Sequence, residues 1–306
     1  MGAMNPISSC GAPTRRALLA LALVTFPATL AAQEASAPAR TPDVHFVPTA
    51  VEVVRAMLGA AKVNKQDVVY DLGCGDGRLV ITAVKRYGAR RGVCVDIDPV
   101  RIKESRQNAD TAGVAKQIEF MNADLFETDL SEATVVTLYL LPMLNVRLRP
   151  KLFRELEPGT RVVSNSFDMG EWKADSTINV KNDGGFSSFA YYWRVPADVA
   201  GTWKVAAPGV PGGSYSMKLE QRFQEVTGTA EVDGQAVALV DEKLKGDSLS
   251  FTLRDGSRAT RLTGTVDGAK MSGTMSGGQA KGKAWTATRT LKGKRQELVD
   301  STGLGQ

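Results

Sequence analysis

Three glycines fall within five residues in Asp71-Leu72-Gly73-Cys74-Gly75-Asp76-Gly77, between a short apolar run and a helical pattern. Glycine lets the main chain turn sharply and lie against a ligand with no Cβ in the way. The N-terminus of the helix beyond it attracts a carboxylate or phosphate. About twenty residues later Asp96 ends a second apolar run, where a carboxylate can accept two hydrogen bonds from a ribose diol. A further acid, Asp124 in Asn122-Ala123-Asp124-Leu125, follows a third run and is placed to accept from an adenine amino group. The first two features alone would fit a dinucleotide enzyme. That fingerprint, however, requires a glycine three residues beyond its second, and Arg78 stands there. An NAD oxidoreductase is disfavoured on both counts.

The elements that must hold these residues alternate. Val51 to Ala61 has apolar residues at helical spacing. Asp67 to Leu72 and Gly92 to Asp96 read as buried strands, and Ile118 to Met121, Thr134 to Leu140 and Arg161 to Ser164 as three further strands. Arg78 to Tyr87, a helix opened by Pro99 and closed by Gly113, and Leu144 to Leu156 lie between them. Strands recurring roughly every 20 to 30 residues with helices between them predict an α/β, doubly wound, mostly parallel sheet. Thr177 to Val180 and Ser188 to Val195 flank Asn182-Asp183-Gly184-Gly185, which adds an antiparallel hairpin at its end.

Gly-x-Gly-x-Gly, an acid after the second strand and an acid after the third together resemble the class I S-adenosylmethionine-dependent methyltransferases, whose seven-stranded Rossmann-like sheet also ends in an antiparallel hairpin. The resemblance covers about Val47 to Val195. It implies that Asp71, Gly73 and Gly75 hold the methionine end of S-adenosyl-L-methionine, Asp71 through the amino group. Asp96 would take the ribose hydroxyls, and Asp124 with Leu125 the adenine. Phe46-Val47-Pro48-Thr49 and Leu140-Leu141-Pro142-Met143 resemble a bacterial branch near the mitochondrial protein-lysine methyltransferases. In that branch the early segment folds over the cofactor, which makes Thr49 a ligand candidate. Its bacterial members often carry Ser-His-Asp-Phe after strand five, where this chain has Ser164-Asn165-Ser166-Phe167.

Methyl transfer is an in-line displacement on an already activated carbon, so the protein supplies proximity and alignment. The acceptor is expected to be a protein lysine or another amine, with small molecules and thiols also compatible. An amine must be neutral to attack, which a dry pocket favours. The Asn/Asp-Pro-Pro-aromatic loop of many amine methyltransferases is missing; Leu140 to Met143 offers carbonyl oxygens and apolar walls instead. Tyr139, Leu140, Pro142 and Asp168 are the acceptor-side candidates, Trp172 follows in the same segment, and no side chain stands out as a catalytic base. His45 reads as a solvated or capping residue. Cys74 and Cys94 read as free structural thiols, because a disulfide is expected to distort the glycine turn. Lys85, Arg86, Arg90 and Arg91 read as a solvated face, and Phe189, Tyr191 and Trp193 as one core-facing stripe.

From Gly201 the pattern changes. Helical periods vanish, and short β runs (Thr202 to Val205, Ser216 to Phe223, Gly228 to Val232, Ser248 to Leu253, Arg261 to Val266, Met271 to Met275, Trp285 to Arg289) are joined by turns such as Asp233-Gly234, Asp255-Gly256 and Asp267-Gly268. An all-β barrel or sandwich is predicted. It resembles lipocalin-like modules appended to exported bacterial proteins. At the other end, Thr14-Arg15-Arg16 precedes an apolar stretch from Ala17 to Ala32, the layout of a secretory signal. As a helix it would be about 24 Å long, short of the ~30 Å hydrocarbon core. Cleavage near Ala31 or Ala32 is expected, with an uncleaved anchor as the alternative. The paired arginines also fit a twin-arginine signal, a route that exports folded proteins.

The organisation is therefore a signal over 1–32, a linker over 33–44, a methyltransferase domain over 45–196, a β-barrel-like domain over 197–290 and a tail over 291–306. Of 306 residues 43% are apolar and 23% charged, which excludes a disordered or collagen-like chain. A net charge of +5 without a basic run gives no nucleic-acid signal. One histidine and three cysteines exclude a His-rich zinc site and a disulfide framework; no metal is expected. The mature chain is expected to be a soluble, monomeric, periplasmic or envelope methyltransferase without a membrane span. The rival is a non-catalytic exported module with a vestigial nucleotide site and a ligand-binding β domain, motivated by the cytoplasmic origin of S-adenosylmethionine.

Overall fold

The apolar runs, punctuated by glycine and proline, become the strands of a seven-stranded sheet. A computed structural model describes residues 41–42, 44–181, 185, 187–210, 212–232, 234–256 and 258–295. The signal reading (1–32) and most of the Asn182–Gly185 turn lie outside the described residues.

In chain order the first half comprises α1 (Val51–Ala60), β1 (Val68–Leu72), α2 (Arg78–Tyr87), β2 (Arg91–Asp96), α3 (Pro99–Ala112), β3 (Ile118–Asn122), β4 (Val135–Leu138), α4 (Pro142–Glu155), β5 (Arg161–Asn165), β6 (Ser176–Lys181) and β7 (Ser187–Arg194). The strand order is β3-β2-β1-β4-β5-β7-β6. Strands β1 to β5 pair in parallel, and β7 pairs antiparallel with both β5 and β6. The order reverses between β1 and β4, and in such sheets the crevice at the carboxyl ends of the strands is where ligands bind.

Because side chains alternate across a strand, the two faces of the sheet carry separate cores. Val69, Cys94, Val135 and Val163 pack under α1, α2 and α3. Val68, Tyr70, Leu72 and Val136 pack under α4 with Trp172 and Trp193. Helix α4 begins at Pro142, two residues before the expected Leu144, since proline suits a first helical turn whose N–H needs no partner. The aromatic stripe on β7 has graded exposure. Trp193 is buried and Tyr191 half-buried, while Phe189 is 43% exposed at the crevice end, so only its far end is core. Of the basic cluster, Lys85, Arg86 and Arg90 are exposed and Arg91 pairs with Glu132.

The second half is a closed antiparallel barrel of β8 (Gly201–Ala206), β9 (Ser214–Arg222), β10 (Glu225–Val232), β11 (Gln235–Lys245), β12 (Ser248–Asp255), β13 (Arg258–Asp267), β14 (Lys270–Ser276) and β15 (Ala284–Lys292). Its interior is filled by Trp203, Trp285, Phe251, Met217 and Leu262, all essentially inaccessible. Gly264 and Gly273 face each other in register, and a Cβ on Gly273 would come 2.0 Å from a backbone oxygen. These glycines let adjacent strands close beneath Trp285. Sequence reading finds seven of these strands and misses β11. A register shift between Val240 and Lys243, with Asp241 at φ +56°, breaks the alternation that would reveal it. No helix among the described residues is long and apolar enough to cross a membrane.

Candidate active site

A cavity of about 290 Å³ opens at the reversal point. It brings together Thr49, Asp71, Gly73, Asp96, Asp124, Leu125, Tyr139 and Leu140 of the sequence candidates. Gly75, Pro142 and Asp168 do not line it.

The glycine turn explains the first exception. Gly73 and Cys74 both donate to the Val95 carbonyl (2.8 and 3.0 Å), folding the turn back over the end of β2. Gly75 donates to the Asp96 carboxylate at 2.9 Å, and a Cβ on Gly75 would fall 2.1 Å from the ring of Phe46. The close approach that requires this glycine is therefore made by the protein's own N-terminal segment. That fold-back also corrects the thiol reading: Cys74 and Cys94 form a disulfide, with Cα atoms 5.3 Å apart. The bond does not oppose the turn, because the turn's own hydrogen bonds already carry Cys74 onto β2.

Asp71 is completely buried and accepts from Thr137 Oγ1 at 2.7 Å. Burial pushes its carboxyl up to about 7, against the opposing Thr137 hydrogen bond and with small contributions from Asp96 and Asp76. A carboxylate in that position is under-compensated and suits a cationic partner. Asp96 is also raised, chiefly by burial, although Gly75 and Asp98 (2.9 Å) donate to its two oxygens. Each oxygen retains acceptor capacity for a hydroxyl. Asp124 accepts from the Phe126 N–H at 2.9 Å, which fixes the turn after β3.

The segment Val44 to Thr49 forms a strap over the cavity. Arg78 pairs with Asp76 through Nε and Nη2 and donates from Nη1 to the Thr49 carbonyl at 2.7 Å. The Arg101 guanidinium lies 4.9 Å from the Phe46 ring centroid. Arg78, which excluded the dinucleotide fingerprint, is thus the latch between strap and turn. Sequence reading gives it no role, and it gives none to Thr137, although a threonine amid the apolar residues of a buried strand is the available signal.

Elsewhere on the cavity lining, the Tyr139 and Phe167 rings stack with centroids 6.3 Å apart. Leu141 and Leu144 complete that wall. The Leu141 carbonyl accepts from Leu144 and Asn145 (2.9 and 3.1 Å), and Pro142 and Met143 belong to the first turn of α4. The expected row of free carbonyls from 140 to 143 is therefore largely spent on starting the helix. Asp168 lies exposed in the loop after β5 and accepts from the Gly170 N–H at 3.0 Å. His45 is exposed and lines the cavity. Among the described residues no group of three or more His, Cys, Asp or Glu could hold a metal ion.

The model of the ANTKMT methyltransferase domain matches residues 71–176. Over 154 residues the chain is 46% identical to a protein-lysine N-methyltransferase of Saccharolobus islandicus, which takes in 50% of this chain and 95% of that protein. The chain belongs to this methyltransferase family. It is a class I S-adenosylmethionine-dependent methyltransferase that resembles the mitochondrial lysine methyltransferases. It is 31% identical to the mouse adenine nucleotide translocase lysine N-methyltransferase over 113 residues, 37% of this chain and 49% of that one. The chain spans only about half to three-fifths of the mammalian lysine methyltransferases it matches. A crystal structure described as an RNA methyltransferase from Salinibacter ruber, in complex with S-adenosyl-L-homocysteine, is 54% identical over 48% of this chain and 93% of its own, with a TM-score of 0.45. The family match ends before the barrel begins.

Proposed function

We propose that this methyltransferase transfers a methyl group to the side-chain amine of a protein lysine, outside the cytoplasm. The acceptor class is carried by one observation, the 46% identity across almost the whole of a protein-lysine N-methyltransferase. The bound cofactor supplies a methyl group made electrophilic by its sulfonium. Asp71 would take the amino group of the methionine end, beside the main chain of Gly73 and under Thr49. Asp96 would hold the ribose, and Asp124 with Leu125 the adenine. Tyr139, Leu140 and Phe167 wall the acceptor side with mostly apolar surface, which favours the neutral amine that can attack.

The extracytoplasmic part of this reading rests on the Arg15-Arg16 leader pattern and is supported by the Cys74–Cys94 bond, since disulfides persist chiefly in oxidising compartments. Calorimetry should give binding of S-adenosylhomocysteine and none of NAD; the reverse would refute the cofactor. Methyl-tritiated S-adenosylmethionine should label envelope proteins on lysine, read by mass spectrometry with and without the gene. Label appearing in RNA instead would overturn the lysine reading, and binding without any transfer would favour the non-catalytic module. Arg15→Lys with Arg16→Lys should block export, and unchanged export would remove the twin-arginine route.

A further inference from the structure

The loop after β5, which carries Phe167 to the cavity, is held from both sides. On one side α4 supplies Asn145 Nδ2 to the carbonyls of Phe167 and Asp168 (3.3 and 3.1 Å) and Arg149 Nη1 to that of Met169 (2.9 Å). On the other side stands the barrel, through the β9–β10 turn. Arg222 pairs with Glu171 at 2.8 Å, and Gln224 Nε2 donates to the Lys173 carbonyl at 2.9 Å. Between them Phe223 is 4% exposed and inserts into the other half of the chain. Its ring lies 5.9 Å from Phe153 and 6.4 Å from Trp172, and the Arg149 guanidinium sits 5.0 Å above it.

Phe223 holds φ +56° at the first of two central turn residues, a place where hairpins with this backbone take glycine. A phenylalanine there is strained, and such strain persists only where the surroundings hold the residue in place. Its carbonyl is fixed as well: buried Gln221 donates to it at 2.7 Å and to Ala197 at 2.9 Å, tying the turn to the chain that enters the barrel.

We propose that the β-barrel is a positioning device for the acceptor side of the active site, with Phe223 as the positioning residue. The ring fixes Trp172 and the Arg149 guanidinium. Arg149 holds the Met169 carbonyl, and the loop so anchored sets Phe167 against Tyr139. The cofactor side, built on β1, β2 and the strap, is independent of this contact. The inference rests on the methyl-transfer reading and assigns the barrel a part in acceptor use.

The test compares Phe223→Gly, which relieves the backbone strain and deletes the ring, with Phe223→Tyr, which keeps the ring. In the full-length protein, Phe223→Gly should bind S-adenosylhomocysteine within about twofold of the parent. It should need roughly tenfold more acceptor for half-maximal transfer, as expected when positioning is lost; the acceptor probe is the envelope-protein fraction of a strain lacking the gene. Phe223→Tyr should restore that value. Amide hydrogen exchange over residues 166–173 should accelerate in Phe223→Gly alone. Unchanged exchange and unchanged acceptor dependence in Phe223→Gly would overturn the proposal. A parent protein that transfers nothing to the probe would instead refute the methyl-transfer reading, and the exchange measurement would still decide whether the barrel positions the loop.

Discussion

Cys74, in the turn after β1, is joined through sulfur to Cys94 of β2, one strand over and two residues before Asp96. The bond therefore fixes the glycine turn to the strand that presents Asp96, the carboxylate proposed to hold the ribose. It closes a loop with a sequence separation of 20, which constrains the unfolded chain by about 3 kcal/mol. Reduction by a dithiol, delivering two electrons and two protons, should lower the melting temperature by roughly 6–12 °C. It should also weaken S-adenosylhomocysteine binding, read by calorimetry. The Cys74→Ser, Cys94→Ser double variant should show both losses and no further response to reductant. Equal stability and affinity in both redox states would show that the bond is incidental.

On the proposed role of Asp71, cofactor binding and fold stability should respond to pH in opposite directions. Its carboxyl is raised by burial from 3.8 to about 7. Between those values the folded chain binds a proton that the unfolded chain does not. Stability is therefore fully present below about pH 4 and falls as pH rises through 7, by roughly 4 kcal/mol in total. A cationic ligand favours the carboxylate, so affinity for S-adenosylhomocysteine, whose ammonium is retained, should rise with pH up to about 7 and level off above it. Asp71→Asn should abolish both trends, melt higher at pH 8 and bind at least roughly tenfold more weakly, as for loss of a charge-assisted hydrogen bond. Thr137→Val removes the Thr137 hydrogen bond, which lowers this carboxyl, and should move the binding midpoint to higher pH. Calorimetry from pH 5 to 8.5 reads both effects.

Arg78 sets how firmly the strap is closed. Its guanidinium spans Asp76 in the glycine turn and the Thr49 carbonyl in the strap. Lysine can reach one of these partners but cannot fork to both. Arg78→Lys and Arg78→Ala should each speed dissociation of S-adenosylhomocysteine, by about ten- to a hundredfold for loss of one charged hydrogen bond. Association should change little, as stopped-flow measurement would show. Unaltered dissociation would mean that Phe46 and Arg101 hold the strap without Arg78.

The parallel half is legible because its central strands, β1 and β2, are short apolar runs ended by a glycine or an acid. Asp71, Asp96 and Asp124 can be placed in one crevice from those ends alone. The missing parts share a physical character: they depend on contacts between segments whose spacing in the chain carries no signal. Nothing local to Cys74 or Cys94 announces their pairing, which follows from the turn folding onto Val95. Phe223 reads as the last residue of a strand, and only the assembled chain reveals it as a buried plug. Strand β11 is hidden by its own bulge at Asp241. Pro142 reads as a loop residue, although proline after an extended segment is also a helix start.

The two ends of β1 should separate stability from binding. Asp67, the residue just before β1 at the end away from the crevice, is 3% exposed and pairs with Arg161. It also accepts from Thr134 Oγ1 and from the Asn64 N–H, each at 2.8 Å. Removing one partner of such a buried pair strands the other charge and costs about 3–5 kcal/mol. Asp67→Ala should therefore melt markedly lower while binding S-adenosylhomocysteine like the parent at 15 °C, where the fold is retained. Asp71→Asn, four residues further along the chain and within β1, should do the reverse: no loss of melting temperature at pH 8 and a large loss of affinity. If Asp67→Ala weakened binding as much as Asp71→Asn does, the cofactor site would depend on the whole strand rather than on its carboxyl end.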